Sequence, residues 1–325
     1  MFNFSLDQQT ESTAFDTVLK WDFLIVGGGP AGLNAALYAK RKGLNVGIIA
    51  DELGGQLHNT TWVDNYLGLK MIDGADLSNA FVDHLKELDV PILKGVQVQE
   101  VIHQNPDFSV KVSNGKTYHS KTLLMATGGA PRKLEIPGEE AYANKGVTYC
   151  ATCDAPFFKN KHVIVAGGGN SAVEGVLDLV PWAKKITIVH RSQFRADQIL
   201  LDQLNDVKDL EIHLETQILS VVGEDQMTGI HVLDKKTNEE KFIKADGLLI
   251  EIGTVPNSWL IKDLVQTNSR NEVVVDGNQM TSIPGLYAAG DITIQPFKQI
   301  VISVAEGAKA ALAVNQYLKQ NYKGE

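Results

Sequence analysis

Cysteine is nearly absent from this sequence: there are two in 325 residues, at Cys150 and Cys153. So sparse a supply excludes the disulfide-stapled scaffold of a small secreted domain. It also excludes a structural zinc site, which needs four ligands, because no second cysteine pair or spaced histidine pair completes the set. No apolar run approaches the length of a membrane span. The opening stretch Met1-Phe2-Asn3-Phe4-Ser5-Leu6-Asp7 has neither a basic region nor an apolar core, so no secretory signal is expected. Positive charge is in deficit too. With 30 Lys+Arg against 39 Asp+Glu the net charge is −9, which argues against nucleic acid or an anionic membrane as partner. What remains, 44% hydrophobic and 21% charged, is an ordinary globular composition long enough for two cored domains, and a cytoplasmic protein is the expectation. In that setting a cysteine pair is more often catalytic than structural.

The two cysteines stand in Cys150-Ala151-Thr152-Cys153-Asp154. At this spacing they can close into a redox disulfide, or they can be two unrelated thiols packed in a core. Their surroundings favour the first reading. Asp22-Phe23-Leu24-Ile25-Val26 reads as a strand entering Gly27-Gly28-Gly29-Pro30-Ala31-Gly32, followed by an alanine-rich helix to about Lys42 and a second strand from Asn45 that ends at Asp51. In this context the glycines have separate roles: Gly27 for the tight turn, Gly29 for approach of a pyrophosphate, Gly32 for close packing of helix and strand. Asp51, or the adjacent Glu52, is placed to take ribose hydroxyls. The pattern recurs 140 residues later, where His162–Ala166 enters Gly167-Gly168-Gly169-Asn170-Ser171-Ala172. This second unit ends not in an acid but in His190-Arg191-Ser192, with Arg195 close behind, which suits a 2′-phosphate and so NADPH.

Other segments are read more simply. Residues 1–20 form a polar arm, packed on the body or frayed. Gly55, Gln56 and Asn65 lie in loops able to line a cofactor. Leu77, Phe81, Leu85 and Leu88 mark an amphipathic helix from Asp76 to Leu88. Strands follow over 92–127, with His103 and His119 exposed, and end in Ala126-Thr127-Gly128-Gly129. Glu272–Asp276 and Gly285–Asp291 read as strands, the second placing Asp291 to accept from a ribityl hydroxyl. A long helix follows Lys298-Gln299-Ile300 to about Tyr317, with small residues at Ala305, Gly307, Ala308, Ala310 and Ala311.

Taken together, GGGPAG at 27–32, GGQL at 54–57, ATGG at 126–129, CATCD at 150–154, GGGNSA at 167–172, HRSQFRA at 190–196, GD at 290–291 and KQI at 298–300 resemble the low-molecular-weight thioredoxin reductase family over nearly all of the chain after residue 20. The resemblance implies an α/β protein of two Rossmann-like, three-layer nucleotide-binding domains, one inserted in the other. The FAD domain would span 21–129 and 254–325, and the NAD(P)H domain 130–253. It implies a homodimer whose domains rotate, and thioredoxin-disulfide reductase activity. Electrons would pass from NADPH through FAD to Cys150–Cys153, with Cys153 facing the flavin, Cys150 attacking a thioredoxin-like partner and Asp154 moving protons. FAD contacts fall on Gly27, Gly29, Pro30, Ala31, Gly32, Asp51, Gly55, Gln56, Asn65, Thr127, Gly128, Gly290, Asp291, Lys298, Gln299 and Ile300. Nucleotide contacts fall on Gly167, Gly169, Asn170, Ser171, Ala172, His190, Arg191, Arg195, Ile252 and Gly253. The chain departs from the family at three points. Ser192 replaces a second arginine, so NADH or a ferredoxin is an alternative donor. Ala155 follows CATCD where glycine is usual. Phe297-Lys298-Gln299-Ile300 is closer to the flavoprotein subunit of alkyl hydroperoxide reductase, which makes a peroxiredoxin-reducing flavoprotein the alternative function. That relative carries two thioredoxin-like modules before its flavin domain, and the 20-residue arm holds none. A ferredoxin–NADP reductase of the same build lacks the cysteine pair, and a non-catalytic redox sensor would not need both glycine turns.

Overall fold

The run after Lys20 is apolar on both faces because it becomes the middle of a sheet covered on two sides. In the computed structural model, which describes residues 15–60 and 62–322, it is strand β1 (Trp21–Gly28). Elements are numbered in chain order. β1 enters helix α1 (Pro30–Arg41), and β2 (Val46–Leu53) returns parallel to β1 with Ile25 opposite Ile48. Helix α2 (Gly74–Lys86) follows, then β3 (Ile92–Lys94), β4 (Val98–His103), β5 (Phe108–Val112) and β6 (Thr117–Met125). Their order in the sheet is β3-β2-β1-β6-β5-β4, parallel through β6 and antiparallel beyond it. From the end of the chain, β15 (Leu286–Ala288) pairs in parallel with Leu123–Met125 of β6, past the residues that pair with β5, and helix α6 (Ile300–Asn321) lies on α1. Small residues allow that contact: a Cβ at Gly307 would overlap the Ala31 carbonyl. Together with residues 1–130, the segment 255–325 makes one compact unit.

The second unit, residues 131–254, is continuous. It contains β7 (Val147–Thr148), the one-turn helix α3 (Ala151–Asp154), β8 (His162–Ala166), α4 (Asn170–Leu179), β9 (Lys185–Val189), α5 (Gln198–Gln203) and β10 (Leu210–His213). It closes with β11 (Thr216–Gly223), β12 (Met227–Asp234), β13 (Glu239–Lys244) and β14 (Gly247–Ile250). Five strands, ordered β7-β14-β8-β9-β10, form a wholly parallel sheet, and β11-β12-β13 form an antiparallel one. Both units are therefore α/β and Rossmann-like, as predicted.

Several details differ from the sequence reading. The α2 helix starts at Gly74 rather than Asp76, because the Asp73 carboxylate accepts from the Ala75 N–H (2.8 Å) and caps it two residues earlier. His103 is half-buried, stacked 5.0 Å from the Phe108 ring, whereas His119 is exposed. Glu272–Asp276 is no strand. Val273 makes only isolated bridges, and the Asp276 carboxylate turns the chain by accepting from the Asn278 and Met280 N–H groups. The end of the arm is anchored: Phe15 is wholly buried, 4.6 Å from the Trp21 ring and edge-on to Tyr118. The rest of the predicted arm, residues 1–14, lies outside the described residues. Among the described residues no helix is long and apolar enough to cross a membrane.

Candidate functional site

In the first unit the glycines of the opening turn differ physically from one another. Gly27 has φ +117°, and a Cβ there would overlap the Ala126 carbonyl. A Cβ at Gly32 would overlap the Gly27 carbonyl, so strand and helix meet backbone to backbone. Gly29 faces open space, with nothing within 4 Å of a built Cβ. It also begins α1, whose first N–H groups have Pro30 at the start, no side-chain cap and no acid in the first turn. Free N–H groups, a positive helix end and open space suit a diphosphate, so the residues present fit the FAD that the family implies.

Distant segments complete this cradle. A Cβ on Gly55 would sit 3.3 Å from the Gly29 Cα. The Gln56 amide donates to the Gly129 carbonyl (2.7 Å) and to Asp291 (3.2 Å), which also accepts from the Ser303 hydroxyl (3.3 Å). Burial raises the Asp291 carboxyl above the usual carboxylate range, against the pull of Lys298, Ser303 and Gln56. The Gly290 N–H donates to Glu306 (2.7 Å). Asn65 donates to the Gln299 side chain (3.2 Å), and Gln299 starts α6 just before Ile300 without capping it by its own side chain. Thr127 and Gly128 are held by Asn257. Its N–H donates to the Gly128 carbonyl (2.9 Å), its amide to the Thr127 carbonyl (2.9 Å), and its carbonyl accepts from the Thr127 hydroxyl (2.8 Å). Asp51 is exposed and accepts from Gln97 (2.8 Å). Lys298 places its ammonium on the Thr293 carbonyl (2.7 Å) and on Glu272 (3.4 Å).

The second unit repeats the turn. Gly167 has φ +152°, Gly169 begins α4 with no side-chain cap, and nothing lies within 4 Å of a Cβ built on Gly169. Ala172 is buried beneath the turn, while Asn170 and Ser171 are exposed beside it. A Cβ on Gly168 would overlap the His190 ring, so this imidazole covers the turn. Burial, then Arg195 and Arg191, hold His190 below its ordinary pKa. The segment after β9 is tied back to the turn: the Arg195 N–H donates to the Gly168 carbonyl (2.7 Å), and Asn170 exchanges hydrogen bonds with Asp197 (2.8 and 2.9 Å). Both arginine side chains are exposed, and Ser192 Oγ lies 3.1 Å from His190 Nε2. At the end of β14, Ile252 is half-buried and Gly253 has φ +101°.

Cys150 and Cys153 are joined as a disulfide. Cys150 caps α3, its sulfur accepting from the Cys153 N–H (3.2 Å). A thiolate at Cys150 would keep that donor, which favours the charged sulfur. The Asp154 carboxylate is hydrogen-bonded to the Thr148 hydroxyl, and burial raises its pKa. Just upstream, buried Glu139 accepts from the Leu134 and Glu135 N–H groups (3.0 and 2.7 Å) and from the Tyr149 hydroxyl (2.9 Å), anchoring the residue before Cys150. Asn257, Ser303, Glu306, Thr148 and Glu139 escape a sequence reading because each is a single polar residue whose partners are set by folding. The Pro-Asn step at 256–257 was the one available signal.

Two Rossmann-like units with open glycine turns, one carrying a disulfide at its own turn, define a dinucleotide-binding redox protein. A family model described as "Pyridine nucleotide-disulphide oxidoreductase" matches residues 21–307. The alkyl hydroperoxide reductase F subunit of Staphylococcus aureus is 40% identical over 317 residues, 97% of this chain and 62% of the relative. The chain thus spans somewhat less than two thirds of the length of the curated relatives it matches. Among solved structures, thioredoxin reductase from Streptococcus pyogenes superposes with TM-score 0.88 at 36% identity, over 93% of this chain and 99% of that one. Thioredoxin reductase from Giardia duodenalis gives TM-score 0.87 at 28% identity, over 93% and 100%. The chain belongs to the pyridine nucleotide-disulphide oxidoreductases, among the low-molecular-weight, FAD-binding, NAD(P)H-using members related to thioredoxin reductase and the alkyl hydroperoxide reductase flavoproteins.

Proposed function

We propose that this protein is a flavoprotein disulfide reductase that draws electrons from a nicotinamide nucleotide and delivers them, through Cys150–Cys153, to a thioredoxin-like protein serving a peroxiredoxin. The observation that carries this reading is the formed disulfide at the capped turn Cys150–Asp154, in the unit whose own glycine turn is open at Gly169. FAD, held by the Gly27–Gly32 turn with Gln56, Asn65, Thr127, Asp291 and Gln299, supplies the conversion between hydride and electron-pair chemistry. The chain's own residues do the rest. Gly167, Gly169, Asn170, Ser171 and Ala172 seat the nucleotide diphosphate, with Ile252 and Gly253 at the neighbouring strand end. His190 fills the space above Gly168 and orders the segment that carries Arg191 and Arg195. Cys150 attacks the partner disulfide, Cys153 resolves the mixed disulfide, and Asp154 moves protons between sulfur and solvent.

The peroxiredoxin-linked acceptor is favoured over a general thioredoxin by the likeness to the alkyl hydroperoxide reductase flavoprotein and by the Phe297-Lys298-Gln299-Ile300 run. The exposed Arg191 and Arg195 support NADPH as donor, and Ser192 keeps NADH as the alternative. A homodimer is part of the proposal. The test is anaerobic titration of the FAD-loaded chain with NADPH and, separately, NADH, followed by coupled turnover with a thioredoxin-like protein and a peroxiredoxin. Flavin bleaching that is not passed on to either disulfide acceptor would remove the reading.

A further inference from the structure

A cysteine pair that opens and closes needs a destination for protons, and beside it stands a carboxylate that the reading above leaves unused. Glu251 follows β14. Its N–H donates to the Ala166 carbonyl (2.8 Å), and its own carbonyl lies where a Cβ on Gly167 would overlap it. Its backbone is therefore locked to the second glycine turn. Its side chain runs the other way, toward the cysteines, where the backbone N–H of Ala151, the residue after Cys150, favours its charged form. The absence of a side chain at Gly175 makes room for this: a Cβ there would lie 3.4 Å from the Glu251 Cγ and 3.5 Å from the Ala151 Cβ. The carboxylate is thus wedged between α4 and the cysteine turn.

The charged groups facing it are acidic. Glu174 and Asp178 come from α4, and Asp178 itself accepts from the Thr152 hydroxyl (3.1 Å). Asp154, the last residue of the cysteine turn, is hydrogen-bonded to the Thr148 hydroxyl. Among the described residues no ion pair compensates Glu251. Burial pushes its carboxyl up to about 7; the Ala151 N–H opposes the shift, and Asp178 and Glu174 add to it.

We propose that Glu251 is a proton acceptor linked to the redox state of the cysteine pair: as a carboxylate it lies beside Ala151 in the disulfide form, packed with it against Gly175, and it takes up a proton when the disulfide opens. The inference rests on the pair being redox-active. On reduction, two electrons, from the family's flavin or from an added dithiol, break the Cys150–Cys153 bond; one proton goes to the Cys153 sulfur, and a second goes to Glu251, leaving Cys150 as a thiolate on the Cys153 N–H. The new negative charge at Cys150 disfavours a second one on Glu251, which packs beside the next residue, Ala151, and this couples the two events. Glu251 does not touch the partner's sulfur, so its role is a positioning and proton-balancing one.

The test is the equilibrium between the purified full chain and a dithiol redox buffer from pH 6 to 9, read by alkylation and mass of the Cys150–Cys153 peptide, for the natural chain and for Glu251→Gln. The buffer's own pH dependence cancels between the two. Just above pH 7 the dithiol fraction ratio of the natural chain is expected to fall more steeply than that of the variant, by up to about a further tenfold per pH unit. Equal slopes with normal exchange overturn the proposal alone. A pair that never exchanges with the buffer, in either chain, overturns the redox reading and the proposal with it. If Glu251→Gln does not fold, the redox difference infrared spectrum of the natural chain at pH 7.5 decides the matter. A carboxylic-acid band must appear on reduction and persist in Asp154→Asn, and its absence overturns the assignment.

Discussion

At the scale of single residues, the cysteine turn is an electrostatic arrangement more than a packing one. Asp154 is desolvated, and although its hydrogen bond with Thr148 opposes the shift, its folded pKa lies above the unfolded one. For such a group the stabilising contribution is present below the ordinary carboxylate pKa and is lost as pH rises through the folded value, so at neutral pH the fold carries the cost of a buried charge. Asp154→Asn is therefore expected to raise Tm at pH 7.5 relative to pH 4 while lowering turnover by roughly 10²–10⁴-fold, the usual weight of a general acid–base group. Calorimetry at both pH values and steady-state assay check the two halves separately. A variant with lower Tm at pH 7.5 and full activity would show that Asp154 merely ties down the loop. Ser192 gives a second residue-scale prediction. Replacing it with arginine adds a cation beside Arg191 and Arg195, and is expected to shift the NADPH-to-NADH ratio of kcat/KM toward NADPH by about tenfold or more.

At the scale of elements, the two glycine turns make separable predictions because the structure distinguishes their glycines. Gly29 and Gly169 have φ of −80° and −98°, which any residue adopts, and neither has a neighbour within 4 Å of a built Cβ. Alanine at either position should therefore fold, at a cost of no more than about 1 kcal/mol from the poorer helix cap. Gly29→Ala is expected to lose flavin on purification, read by the absorbance ratio. Gly169→Ala is expected to keep flavin and raise the KM for the nucleotide. Gly307 behaves differently, since its Cβ position is filled by the Ala31 carbonyl. Gly307→Val forces α6 away from α1 and is expected to cost about 1–3 kcal/mol or more, visible as a lowered denaturant midpoint, with flavin lost as a consequence. The glycines and the cysteine pair were legible in the sequence because their chemistry depends on spacing along the chain. The start of α2 was misplaced because a capping aspartate, Asp73, outweighed the apolar spacing. Glu272–Asp276 looked like a strand because Val273-Val274-Val275 has strand propensity, yet hydrogen bonds to Ile292, Ile294 and Gln266 place it as an irregular edge.

At the scale of the molecule, the discontinuous first unit explains why its site resists sequence reading. Residues 255–325 return to a sheet begun at residue 21, so Asn257, Asp291 and Gln299 reach Thr127, Gln56 and Asn65 across more than a hundred residues of intervening chain. The second unit is continuous, and its turn, His190 and the Cys150–Cys153 pair lie within one short span of chain. Because the first unit is completed only by the last segment, deleting α6 is expected to abolish folding of that unit and flavin retention. The 131–254 unit should keep its own protected amides, which hydrogen exchange would reveal.

By itself the sequence determined the two glycine turns, the α/β class of both units and the presence of a closely spaced cysteine pair, because each depends on residues a few positions apart. The tertiary structure alone decided which lone polar side chains join those motifs: Asn257 on Thr127, Ser303 on Asp291 and Glu139 on Tyr149. The physical reason is that a buried donor or acceptor must find a partner, and its partner is whatever the completed fold brings within hydrogen-bond reach, not its neighbour in the chain.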